Sequence, residues 1–213
     1  MIVSPSFLSC DFTNLKSEIR SVDRAKWLHF DVMDGKFVAN TTYGPSTMKE
    51  IKTYSNQYFD CHLMVVNPLE QAPLFAAAGA DLITFHFEAV DDVRVAIHQI
   101  QQLGKKVGIS TRPNTDWTLL SPYLDDLDLV LVMSVEPGAG GQAFLPSALD
   151  EIRWLAQERQ QRQLHFLIEI DGGINDTTIE SVKEAGADIA VVGSYLFKRD
   201  HRNDLIEAME NVT

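Results

Sequence analysis

The chain has 213 residues and a formal charge of −12 at pH 7, from 18 Lys and Arg against 30 Asp and Glu. Its hydrophobic fraction of 45% and charged fraction of 23% exclude an extended disordered chain. The negative field repels nucleic-acid phosphates and anionic membranes, so neither nucleic acid nor membrane is expected as a partner. An anionic substrate would have to be held by local features against that field. Cys10 and Cys61 are the only cysteines, which favours reduced thiols. The segment Met1-Ile2-Val3-Ser4-Pro5 has no basic leader, and no run of 18 apolar residues occurs. A cytoplasmic location is therefore expected.

In chain order, a β-like run at residues 2–6 is followed by a helical pattern at 14–24 and a second β run at 27–32. The third run, 59–65, leads into a helix at 68–78, where Asn67-Pro68 predicts an N-cap with proline at the first helical position. Ala78-Gly79-Ala80-Asp81 predicts a helix ending at glycine just before the next strand. A run at 82–85, a helix at 91–103 and runs at 106–110 and 127–133 follow. A helix at 147–159, a run at 165–170, a helix at 177–185 ending at Gly186, and a final run at 189–192 complete the pattern. Eight β runs separated by amphipathic segments predict a (β/α)8 TIM barrel, as one domain over residues 1–213. The competing architecture is an open doubly wound sheet, which more often has fewer strands.

Barrel enzymes place their chemistry at the C-terminal ends of the strands. In the second run His29, Asp31 and Met33 share one strand face, while Phe30 and Val32 take the other. A histidine and a carboxylate inside a barrel are costly to bury without a partner. A shared metal ion satisfies both; a histidine bonded to a carboxylate in a polar core is the simpler alternative. In the third run His62 and Met64 again share a face, and a second inward histidine strengthens the metal reading. Imidazole and carboxylate donors suit Zn²⁺, Fe²⁺, Mn²⁺ or Co²⁺. Asp171 ends the seventh run, across the barrel, and can reach the same ion. Glu169 has the same parity one layer deeper, as a residue behind the site or one paired with a buried Lys or Arg.

Glycine-rich turns follow the last three runs: Gly138-Ala139-Gly140-Gly141, Gly172-Gly173 and Gly193-Ser194. Glycine lets backbone N–H groups approach a ligand, and barrels bind phosphate in this quadrant. Met33, Met64 and Met133 fall near strand ends, as a collar around the site or as core filling. His86 ends the fourth run, in a supporting or structural role.

Ser4-Pro5-Ser6-Phe7-Leu8-Ser9, Leu28-His29-Phe30-Asp31-Val32-Met33-Asp34-Gly35, Cys61-His62-Leu63-Met64, Met133-Ser134-Val135-Glu136-Pro137-Gly138 and Asp171-Gly172-Gly173-Ile174 occur in this order. Together they resemble the ribulose-phosphate 3-epimerase family, over essentially the whole chain. The resemblance implies interconversion of D-ribulose 5-phosphate and D-xylulose 5-phosphate. It implies one divalent metal ion, Zn²⁺ first, on His29, Asp31, His62 and Asp171, with Asp31 and Asp171 as the acid/base pair. Sugar-phosphate contacts fall on Ser6, His62, Gly138, Ala139, Gly140, Gly141, Asp171, Gly172, Gly173, Gly193 and Ser194, and a homo-oligomer is expected.

The chain departs from the family pattern at Ala39, at Thr111-Arg112-Pro113 and at Ala139. These positions bear on sugar specificity and loop closure. An epimerase for another ketose phosphate, such as D-allulose 6-phosphate, is the nearest rival. A lyase or decarboxylase barrel would be expected to place a lysine among the strand-end carboxylates, and none occurs there. A non-catalytic sugar-phosphate-binding barrel would not need two opposed carboxylates.

Overall fold

A computed structural model describes residues 1–212 of the chain. Eight strands form one parallel sheet: β1 (Ile2–Pro5), β2 (Trp27–Met33), β3 (Tyr58–Met64), β4 (Leu82–His86), β5 (Lys106–Ser110), β6 (Leu129–Met133), β7 (Leu167–Asp171) and β8 (Ile189–Val192). From β2 to β8 each strand pairs with the next, and β1 pairs with β8. A single bridge between Ser6 and His29 brings β1 against β2 and closes the ring. The fold is the expected (β/α)8 barrel.

The helices are α1 (Leu15–Arg20), α2 (Pro45–Lys52), α3 (Pro68–Ala78), α4 (Val93–Gln102), α5 (Ala148–Arg162), α6 (Ile179–Ala185), α7 (Ser194–Phe197) and α8 (Arg202–Glu210). Between β5 and β6 the connection is a 3-10 segment, Trp117–Asp126. Pro122 within it lacks the N–H that a continuous α-helix requires. Gly79 and Gly186 end α3 and α6 in the left-handed conformation, as the glycine signals predict. Pro68 opens α3 as predicted, but Asn67 makes no side-chain cap bond to the helix. Its amide bonds Glu70 Oε2 instead, at 3.3 Å.

Strand parity divides the core. Outward residues such as Leu28, Phe30, Phe59, Cys61, Leu63, Ile168 and Ile170 pack under the helices in the main apolar core. Inward residues form layers along the barrel axis. Ile2, Trp27, Tyr58, Leu82, Leu129, Leu167 and Ile189, each the first residue of its strand, plug the N-terminal end. That plug closes the barrel floor, so polar side chains above it meet solvent only through the C-terminal mouth.

Candidate active site

β2 and β3 run side by side, with His29 beside Asp60 and Asp31 beside His62 in register. Parity turns all four into the barrel. His29 Nε2 lies 3.4 Å from Asp31 Oδ1, and His62 Nδ1 lies 3.5 Å from the same oxygen. The other Asp31 oxygen, Oδ2, accepts a hydrogen bond from Ser6 Oγ at 2.7 Å. Asp171 ends β7 beside Met133. One donor atom from each of His29, Asp31, His62 and Asp171 lies within 4.8 Å of the other three.

These residues fit a metal ion. Among the described residues, His29 Nε2 and His62 Nδ1 are buried nitrogens without a hydrogen-bond partner, an arrangement that is expensive unless something binds them. Four donors about 2.0–2.1 Å from a tetrahedral ion sit roughly 3.3 Å apart, close to the 3.4 and 3.5 Å spacings at Asp31 Oδ1.

The electrostatics separate the two aspartates. Burial opposes ionisation of Asp31, but His29 and His62 override it and hold the carboxyl well below its usual range. Burial pushes Asp171 up to about 7, and the charge on Asp31 adds to the rise. Burial also opposes a charge on His29, yet the carboxylates of Asp60 and Asp31 outweigh it and raise its proton affinity. Burial, with the charge on His29, lowers the proton affinity of His62, so the carboxylates favour added positive charge at His29 and not at His62.

Each histidine is held from behind. His29 Nδ1 meets Asp60 Oδ2 at 2.6 Å, and His62 Nε2 meets His86 Nε2 at 2.8 Å. Glu169 sits one layer deeper, as its parity predicts. Its neighbours are His29, at 3.7 Å, and Asp60, and no Lys or Arg pairs with it among the described residues. Burial, and then the Asp60 charge, raise its pKa well above the carboxylate range. Sequence reading missed Asp60 and gave His86 no definite partner.

A cavity of about 440 Å³ opens above the cluster. Asp31, Asp171, Met33, Met64 and Met133 line its inner end. The glycine turns line its far wall, and each expected substrate-contact residue except His62 borders it. His62 is completely buried behind Asp31. A Cβ added to Gly140 or Gly141 would find its nearest neighbour only at 3.8 Å, so both backbones present themselves openly to a ligand. Gly173 differs: at φ +63° its added Cβ would lie 2.5 Å from the Phe144 nitrogen, so the turn admits only glycine. Lys198 and Arg199 also line the cavity. The sequence offered no motif for them, since they follow the Gly193-Ser194 turn only through the short α7. They place positive charge where the overall field is negative. Of the three departures, Ala139 lines the cavity and Ala39 and Arg112 do not. Arg112 donates to the Phe37 carbonyl at 2.7 Å and covers the Phe37 ring at 4.3 Å.

The family model described as "Ribulose-phosphate 3 epimerase family" matches residues 2–197. A ribulose-phosphate 3-epimerase from Mycobacterium bovis is 46% identical over 202 residues, covering 93% of this chain and 87% of the relative. One from Synechocystis is 42% identical over 215 residues, covering 99% and 94%. Among solved structures, KGPDC from Streptococcus mutans aligns with a TM-score of 0.74 at 11% identity, covering 99% and 95%. The 3-hexulose-6-phosphate synthase from Salmonella typhimurium aligns at 0.73 and 17%, covering 100% and 98%. These two likenesses support the barrel alone.

Proposed function

The chain belongs to the ribulose-phosphate 3-epimerase family, and from that premise we propose that it interconverts D-ribulose 5-phosphate and D-xylulose 5-phosphate by inverting carbon 3. The observation that carries this reading is the pair Asp31 and Asp171. Both border one cavity, their donor atoms lie within 4.8 Å, and their proton affinities differ. Inversion next to a carbonyl needs a base on one face of the carbon and an acid on the other. Asp31, held ionised, takes the proton. Asp171 returns one to the opposite face, and the roles exchange in the reverse direction.

His29, Asp31, His62 and Asp171 would hold one divalent ion, Zn²⁺ first among candidates. Bound there, the ion would act as a Lewis acid toward the oxygens on which enediolate charge develops. The remaining residues bind and shield. Ser6 fixes the rotation of the Asp31 carboxylate through Oδ2. The open backbones of Gly140 and Gly141, with Gly193-Ser194, offer N–H groups to the phosphate, and Lys198 and Arg199 add charge at the same wall. Met33, Met64 and Met133 keep water from the reacting carbon.

Positioned proton transfer contributes about 10²–10⁴-fold to rate. Asp31→Asn and Asp171→Asn should each lower kcat by at least that range, and near-normal epimerisation by either purified variant rejects the assignment. Coupled assays with D-ribulose 5-phosphate and D-allulose 6-phosphate test the sugar. The larger kcat/KM is expected for the pentulose, and the reverse order reassigns the substrate.

A further inference from the structure

We propose that His86 and Glu88 form a positioning relay that fixes His62 in the one tautomer able to ligate an ion through Nδ1. The inference rests on the reading of His29, Asp31, His62 and Asp171 as a metal site.

His62 turns Nδ1 toward Asp31 and places Nε2 2.8 Å from His86 Nε2. Two imidazole nitrogens at that distance share one hydrogen, so one donates and the other accepts. Ligation through Nδ1 leaves the His62 proton on Nε2, and His62 is the donor. His86 must then accept at Nε2 and carry its own proton on Nδ1. Among the described residues that nitrogen makes no formed hydrogen bond, and it faces Glu88 Oε2 at 3.5 Å as a charge contact, on a carboxylate with nothing to donate. Glu88 is itself fixed, because Oε1 accepts from the Arg112 backbone N–H at 2.7 Å and from the Thr115 hydroxyl. Donation runs from His62 to His86, and the far nitrogen of His86 then faces the fixed Glu88 carboxylate. The opposite tautomer of His86 would force a proton onto His62 Nδ1, aimed into the cluster.

His29 is the internal contrast. Asp60 accepts directly from its Nδ1, so His29 presents Nε2. The two histidines offer opposite nitrogens because the groups behind them differ, one a carboxylate and the other a second imidazole. His86 is completely buried, and the Phe37 ring lies against it with centroids 4.8 Å apart. Removing one such supporting partner typically weakens metal binding roughly 10–100-fold.

The test compares the wild type with His86→Phe, His86→Gln and Glu88→Ala. Metal-free protein is titrated with Co²⁺ against a competing chelator and read by the visible absorption of the bound ion. Thermal unfolding monitors the fold, and ¹⁵N chemical shifts of the His62 ring report its tautomer. In the wild type His62 should carry its proton on Nε2. His86→Phe should weaken Co²⁺ binding roughly 10–100-fold. His86→Gln, whose amide oxygen can accept from His62 Nε2, should recover much of that loss. Glu88→Ala should lie between, with both His62 tautomers visible. Wild-type affinity in His86→Phe, a Gln variant no better than Phe, or a His62 proton on Nδ1 in the wild type overturns the relay. If the Phe variant does not fold, Glu88→Ala decides: unchanged affinity and an unchanged tautomer overturn the proposal. A wild type that binds no Co²⁺ rejects the metal reading itself. That result is distinct from a wild type that binds and variants that bind equally well.

Discussion

Glu151 lies in the first turn of α5 with 3% exposure, and Thr111 Oγ1 donates to it at 3.4 Å. Burial, more than any neighbour, pushes its pKa from 4.5 up to about 8, with the charge of Glu88 adding to the rise. In the folded chain the group is therefore neutral near pH 7, whereas in the unfolded chain it is ionised. A raised folded pKa leaves stability untouched below about pH 4.5 and removes it as pH climbs to about 8, because the unfolded state loses its proton first. The loss is on the order of 5 kcal/mol if the shift is fully expressed. Glu151→Gln keeps the shape and removes the titration. It should match the wild type in Tm near pH 4.5 and exceed it by several degrees near pH 8.5. Parallel Tm curves for the two proteins across that range would refute a buried, neutral Glu151. The site aspartates follow the same physics with opposite results. His29 and His62 hold Asp31 well below the usual carboxylate range, whereas burial, and then the charge on Asp31, push Asp171 up to about 7.

Among the elements, the strands were the most legible. Their inner and outer faces follow strict parity, so His29, Asp31, His62 and Asp171 could be placed on the inside from spacing alone. Boundaries moved by a residue or two: β7 spans Leu167–Asp171 where 165–170 was expected, because His165 stays outside the ladder. α2 was not predicted. It buries only Met48 and Ile51, and its Ser and Thr are weak helix formers. α8 buries only Ile206 and Met209. The relay behind His62 was beyond sequence reading, since its members meet only through the register of β3 with β4 and the fold of the next loop. The turn after β7 is sensitive to a single change. Gly173→Ala would place a methyl group against the Phe144 backbone at a left-handed φ. It should cost about 1–3 kcal/mol in stability and raise KM for the sugar phosphate, since the same turn borders the cavity. An unchanged Tm and KM in that variant would show that the turn tolerates a side chain.

On the scale of the whole molecule, the proposed substrate is an anion, yet the chain carries a net charge of −12. The barrel resolves the conflict by separating the two ends of the cavity. Carboxylates and imidazoles converge at the inner end, where a cation would offset them. Glycine backbones, Lys198 and Arg199 line the outer wall. An apolar plug fills the floor below, and the cavity opens at the C-terminal mouth. Among the described residues no helix is long and apolar enough to cross a membrane. The central claim is that this arrangement moves a proton at carbon 3 with a divalent ion in place. Its most direct test is deuterium incorporation at carbon 3 of ribulose 5-phosphate in heavy water, with bound metal quantified on the same sample. Metal-loaded protein should incorporate solvent deuterium as it forms xylulose 5-phosphate, and chelator-stripped protein should do neither. No incorporation by the loaded protein, or undiminished incorporation by the stripped one, would contradict the account.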